Sequence, residues 1–171
     1  FKLGRFRCHQ DIIKDSSSKM KMELNKVQIL EYQRNEPPYL MIDHVTEVIP
    51  GVLAKGYKKL TSNEWFFEVH WKGEPNMPGM LQLESLTQMA ALSILTLPNN
   101  KGKTMYLVSA DKIRFFKKVL PDQTLHIETN IDSYKRGIAK CYGQGKVNNE
   151  ICCKAQFNLI LPSEIEKYNL K

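Results

Sequence analysis

The sequence predicts an α+β domain in which a curved antiparallel sheet wraps around one long central helix. Two observations carry that prediction. Between Met80 and Leu97 apolar residues recur at 80, 81, 83, 86, 89, 90, 91, 92, 94, 95 and 97, covering more than one face of a single enclosed helix. After Lys103 the pattern changes to period two, in four runs separated by turn signals.

The elements follow in order. Residues 1–22 carry a serine run and no apolar periodicity, and read as a flexible N-terminal extension to a domain spanning 23–171. From Glu23 to Gln33, Leu24, Val27 and Leu30 recur at helical spacing, so a short amphipathic helix is expected, ending before Pro37 and Pro38. "YLMIDHVTEVI" and "VLAKGYKKLTS" flank Pro50-Gly51 and read as a hairpin, and "EWFFEVHW" reads as a short aromatic strand. Pro78 and Gly79 open the long helix and Pro98 closes it. The later runs, "TMYLVSADKIRFFKKV", "QTLHIETNIDSY", "GIAKCYGQGKV" and "EICCKAQFNLIL", are parted by Pro121-Asp122, Arg136-Gly137 and Asn148-Asn149. In the last run Ile151, Cys153, Ala155, Phe157, Leu159 and Leu161 are expected to share one buried face.

Composition bounds the function. No apolar run is long enough to span a membrane, and no basic run interleaved with aromatics marks a nucleic-acid groove. The net charge of +7 favours an acidic partner. Cys8, Cys141, Cys152 and Cys153 form no CxxC pair, and the adjacent pair is expected to point to opposite faces of a strand. Neither a zinc site nor a disulfide framework is implied, and a reducing compartment is the simplest setting. That is the cytoplasm, or an organelle stroma if residues 1–22 follow a removed transit peptide. No phosphate-cradling loop, nicotinamide fingerprint or metal-ligand spacing appears, so no cofactor and no metal are expected.

The chemistry is sought in "FFEVHWKGEPNMPGMLQLESLTQMAAL". Glu84 is the only charged residue between Glu74 and Lys101, and it lies on the helix read as enclosed. An unpaired buried carboxylate is costly, and groups in that state cluster at active sites. The bland reading places Glu84 on a polar stripe with Gln82, Ser85 and Gln88. His70 stands fourteen residues earlier, where a packed or surface histidine is the bland reading. Gly79 joins the two at the helix N-terminus, where backbone N–H groups lack internal partners and can polarise a carbonyl. A base, an acid and an oxyanion site suffice for proton abstraction beside a carbonyl.

With these residues, "RNEPPYLMIDHV", "TSNEWFFEVHWKGEPNMPGMLQLESLTQ" and "SADKIRFFKKVLPDQTL" resemble the FabZ-type 3-hydroxyacyl-acyl-carrier-protein dehydratases of the hotdog fold, from about Leu24 to Leu161. The resemblance implies a homodimer, with trimers of dimers as the larger assembly, and an acyl carrier protein as the bearer of the thioester. It implies that His70 abstracts the α-proton, that Glu84 of the other subunit protonates the departing hydroxyl, and that the Gly79 N–H holds the thioester oxygen. Lys112, Arg114, Lys117 and Lys118 then become candidates for docking the acidic carrier. Alternation puts Lys112, Arg114 and Lys118 on one face and Lys117 on the other, and a solvated strand face is the bland reading. The chain departs from the family where the usual Gly-His-Phe-Pro is Val69, His70, Trp71 and Lys72, and where the usual His-Arg-Tyr-Pro-Phe is "QRNEPPYL". The competing readings are a hotdog thioesterase and a non-catalytic acyl-binding hotdog protein.

Overall fold

A computed structural model describes residues 20–169; the extension expected over 1–22 therefore lies outside the described residues up to position 19, and Met22 already opens the first strand. The elements are β1 (Met22–Leu24), α1 (Lys26–Tyr32), β2 (His44–Ile49), β3 (Leu53–Lys59), α2 (Trp65–Val69), α3 (Gly79–Leu95), β4 (Tyr106–Phe115), β5 (Thr124–Lys135), β6 (Ile138–Val147), β7 (Glu150–Ile160) and α4 (Pro162–Asn169). The strands form one 7-stranded sheet in the order β1-β2-β3-β5-β6-β7-β4, with every pairing antiparallel.

The sheet curls over α3, which packs against β2, β3, β5, β6 and β7. Every residue of α3 from Leu81 to Leu95 is buried except Glu84. Such all-round enclosure requires close backbone approach, and Gly56 on β3 permits it: a Cβ there would come within 2.9 Å of the Met89 terminal methyl and 2.0 Å of the His44 carbonyl. Among the described residues no helix is long and apolar enough to cross a membrane.

Three expectations need correction. The helix read over Glu23–Gln33 is shorter, because Asn25 forms a capping box with Gln28 and releases Met22–Leu24 to pair with β2. "EWFFEVHW" is not a strand: its middle forms the one-turn helix α2. Phe66 and Phe67 are both buried, edge to face at 4.7 Å, whereas neighbours on a strand would face opposite ways. Alternation also breaks at bulges. Opposite β6 the register of β7 slips between Gly145 and Lys146, so Cys152 and Cys153 are both buried and Ile151 is pushed out. Along β4 the register slips between Leu107 and Ser109 and again between Asp111 and Arg114, where Lys112 takes a φ of 51°. Lys117 and Lys118 lie beyond the end of the strand, so the four basic residues do not sort onto its two faces as expected.

Candidate active site

His70 ends α2, whose single turn is too short to be stable alone. Its start is fixed from β3 by Lys58, a nearly buried ammonium 2.8 Å from Glu64 and 3.7 Å from Asp43. Asp43 is itself held by the Lys59 N–H at 2.9 Å and the Lys26 ammonium at 3.2 Å. The middle of the turn is tied down by Phe66 and Phe67. At its end the His70 N–H donates to Phe66 O at 2.9 Å.

The imidazole is oriented from two sides. Its Nδ1 lies 2.9 Å from Asn76 O. A carbonyl can only accept, so Nδ1 carries the proton and the neutral ring presents its lone pair at Nε2. Trp71, whose φ of 63° turns it back over the preceding residue, stacks on the ring with centroids 4.6 Å apart and 20° between planes.

His70 opens onto a cavity of about 530 Å³ lined also by Trp71, Asn76, Gly79, Gln82 and Phe115. Gly79 is the first residue of α3, and the helix's first hydrogen bonds run from the Leu81 and Gln82 N–H groups to Pro78 O, so the Gly79 N–H precedes them. A glycine is needed here by contact, because a Cβ would come 2.9 Å from the Phe115 ring. Lys117 and Lys118 stand at the same cavity. Lys118 pairs with Glu74 at 3.2 Å, and Lys117 pairs with Glu150. Lys112 and Arg114 do not line it; both are exposed on β4, where the Arg114 guanidinium donates to Ile113 O at 3.0 Å.

Glu84 does not line this cavity either. Gln82, Ser85 and Gln88, which the bland reading groups with Glu84 on a polar stripe, are all buried, while Glu84 is half-buried. Nor is its carboxylate stranded. It accepts from Gln88 Nε2 at 2.8 Å and from the Thr87 hydroxyl at 3.3 Å. Gln88 is fixed in turn by Tyr39 O at 3.0 Å and the Met41 N–H at 2.8 Å, so the segment before β2 helps to aim the carboxylate. Burial, and then the charge of Glu84, raise the Tyr39 phenol above its usual value. Within one chain, then, His70 and Gly79 share a cavity and the Glu84 carboxylate lies outside it.

Sequence reasoning missed Lys58, Glu64 and Asn76. The first two are separated by a turn whose geometry decides their meeting, and Asn76 acts on His70 through its backbone, which no residue type reports.

Among known proteins, a family model described as a FabA-like domain matches residues 34–156. The 3-hydroxyacyl-[acyl-carrier-protein] dehydratase FabZ of Alkaliphilus metalliredigens is 39% identical over 144 residues, covering 83% of this chain and 98% of that protein. The protein of the same name from Roseiflexus castenholzii is 38% identical over 141 residues, covering 82% and 99%. Among solved structures, the dehydratase heterocomplex ApeI:P from Xenorhabdus doucetiae superposes with a TM-score of 0.69 at 13% identity, over 84% of this chain and 97% of that one. A hypothetical thioesterase from Streptococcus pneumoniae, solved with coenzyme A, gives 0.54 at 15% identity, over 68% and 83%. Both likenesses concern the fold alone. The sequence matches decide the family, and this chain belongs to the FabZ 3-hydroxyacyl-[acyl-carrier-protein] dehydratases, within the FabA-like, hotdog-fold group.

Proposed function

We infer that this chain is a hydro-lyase that removes water from 3-hydroxyacyl thioesters, and that its active centre is completed by a second copy of itself. The observation that carries the second half is the separation just described: His70 and Gly79 line one cavity, while Glu84, the one half-buried residue between Leu81 and Leu95, lies outside it. On this reading a partner brings its acid to the base. The means of pairing is at hand in β4, an edge strand that pairs only with β7 among the described residues and exposes Tyr106, Leu107 and Val108, with Phe115 and Phe116 at its far end. An apolar free edge of this kind is a template for another strand.

In the reaction, His70 Nε2 takes the proton from the carbon next to the thioester carbonyl. The freed pair forms the new carbon–carbon double bond, the bond from C3 to its hydroxyl breaks, and Glu84 of the second copy gives the hydroxyl the proton with which it leaves as water. Negative charge gathering on the thioester oxygen meets the Gly79 N–H. His70 returns its proton to solvent and Glu84 recovers one. The thioester carrier is an acyl carrier protein, as the names of the relatives support, and its acidic surface would approach over Lys112, Arg114, Lys117 and Lys118. A cytoplasmic setting accords with those bacterial relatives.

Complementation tests the shared centre. His70→Ala and Glu84→Gln chains are each expected to be inactive alone. Unfolded together and refolded, they should recover about a quarter of wild-type activity, because half of the dimers are mixed and each mixed dimer has one intact centre. No recovery in a mixture that demonstrably forms mixed dimers would show that both groups act within one chain.

A further inference from the structure

Trp71 holds a conformation that its own burial does not explain. A φ of 63° is an outlier for so bulky a side chain, and such a residue persists only where its surroundings fix it. Here a turn does so: the Glu74 N–H donates to Trp71 O at 2.9 Å, Gly73 supplies a φ of 90°, and the Glu74 carboxylate pairs with Lys118 at 3.2 Å. Yet Trp71 stays 61% exposed, so the hydrophobic effect gains little from the arrangement. What the turn achieves is the stack on His70, with centroids 4.6 Å apart and 20° between planes, the one ring contact of Trp71 among the described residues.

That stack is unequal in the two charge states of the imidazole. An aromatic face is negative, so it attracts a cation lying within about 6 Å of its centroid, and indole does so most strongly. Neutral His70 gains only ordinary stacking from it. Once Nε2 has taken a proton the ring is an imidazolium, and few groups answer its charge. Asn76 O bonds Nδ1 in either state, and among the described residues no carboxylate contacts the ring. The charged side chains that share its cavity, Lys117 and Lys118, are of like sign, each paired with its own glutamate.

We propose that Trp71 is a positioning residue for proton abstraction, whose indole face stabilises the imidazolium that His70 becomes and so favours the transition state over the resting enzyme. This rests on the dehydratase reading. Because the gain appears only as the proton moves to Nε2, it acts on kcat and leaves substrate binding alone. Trp71 itself neither takes nor gives a proton.

The test places mono-, di- and tetrafluorotryptophan at position 71 by codon suppression, since fluorine drains charge from the ring face and leaves the shape nearly unchanged. Dehydration of the 3-hydroxybutyryl thioester of N-acetylcysteamine, a small substrate that leaves quickly so that proton transfer sets kcat, is followed by enoyl thioester absorbance. The value of kcat should fall stepwise with each added fluorine, by about two- to fivefold across the series, while KM stays constant. Trp71→Phe should fall within that range and Trp71→Leu at or below its lower end. The fluorinated series stands even if Trp71→Leu fails to fold. A flat series would overturn the proposal however slow Trp71→Leu is, since shape alone would then matter. A rise in KM at constant kcat would overturn it too, because the indole would then be binding substrate. Failure of the wild type to form enoyl product would instead overturn the dehydratase reading on which the proposal stands.

Discussion

The helices α2 and α3 hold the two candidate groups, His70 and Glu84, by opposite means. In the 17-residue α3 every residue from Leu81 to Leu95 but one is buried, and the exception is the carboxylate of Glu84. The 5 residues of α2 make a single turn, fastened by an ion pair at its start and a carbonyl at its end. The contrast teaches that a side chain can be positioned from a marginal element when polar anchors from elsewhere in the fold fix both ends. A carboxylate on a rigid helix instead needs local partners such as Gln88 and Thr87 to aim it.

The sharpest way to break this comparison is to remove the groups themselves. His70→Ala and Glu84→Gln should each lower turnover by roughly 10²-fold or more, the scale of general acid–base catalysis. Unfolding midpoints should barely move in Glu84→Gln, which keeps an acceptor for Gln88. Dehydration at the wild-type rate in either variant would assign its role to another residue.

Lys58→Met tests the anchor of α2. Removing one member of a nearly buried pair leaves Glu64 and Asp43 without their shared cation, at a cost of about 3–5 kcal/mol in denaturant unfolding. A loss below about 1 kcal/mol, the scale of an exposed pair, would mean that Phe66 and Phe67 hold the turn unaided.

Smaller effects are expected at the exposed basic residues of β4. Charge reversal at Lys112 and Arg114 should raise the KM for carrier-borne substrate several-fold at low salt and spare N-acetylcysteamine thioesters. The difference should fade as exposed charges are screened, over about 10 Å at 0.1 M salt. Equal losses on both substrates would mean that these residues shape the pocket.

The smallest effect reads the charge on α3 directly. Since Glu84 helps to raise the Tyr39 phenol, Glu84→Gln should move the Tyr39 ionisation to lower pH in phenolate absorbance, with burial keeping part of the elevation. An unmoved titration would place the carboxylate's charge out of reach of Tyr39.

The difference between α2 and α3 also explains what was legible in the sequence. A long run with apolar groups on all sides, opened by Pro78-Gly79, announces a buried helix, and four alternating runs announce an antiparallel sheet. No such period exists in Trp65–Val69, where tertiary anchors rather than propensity select the helix. Alternation likewise misplaces Cys152 and the basic residues of β4, because a bulge adds one residue without any marker that periodicity can detect. Local spacing did single out His70, Gly79 and Glu84, but their division between a cavity and the surface beside it depends on the fold.

The bulge in β7 has a consequence for how the protein can be observed. It turns two consecutive thiols inward, and with Cys141 they make three buried cysteines. Burial pushes Cys141 and Cys153 up to about 12 and raises Cys152 as well, so at neutral pH they are neutral and inert to alkylating agents. In a Cys8→Ser chain these would be the only thiols left. Their rate of labelling would then clock the opening of strands β6 and β7, a fluctuation meter supplied by the wild-type core without any introduced probe.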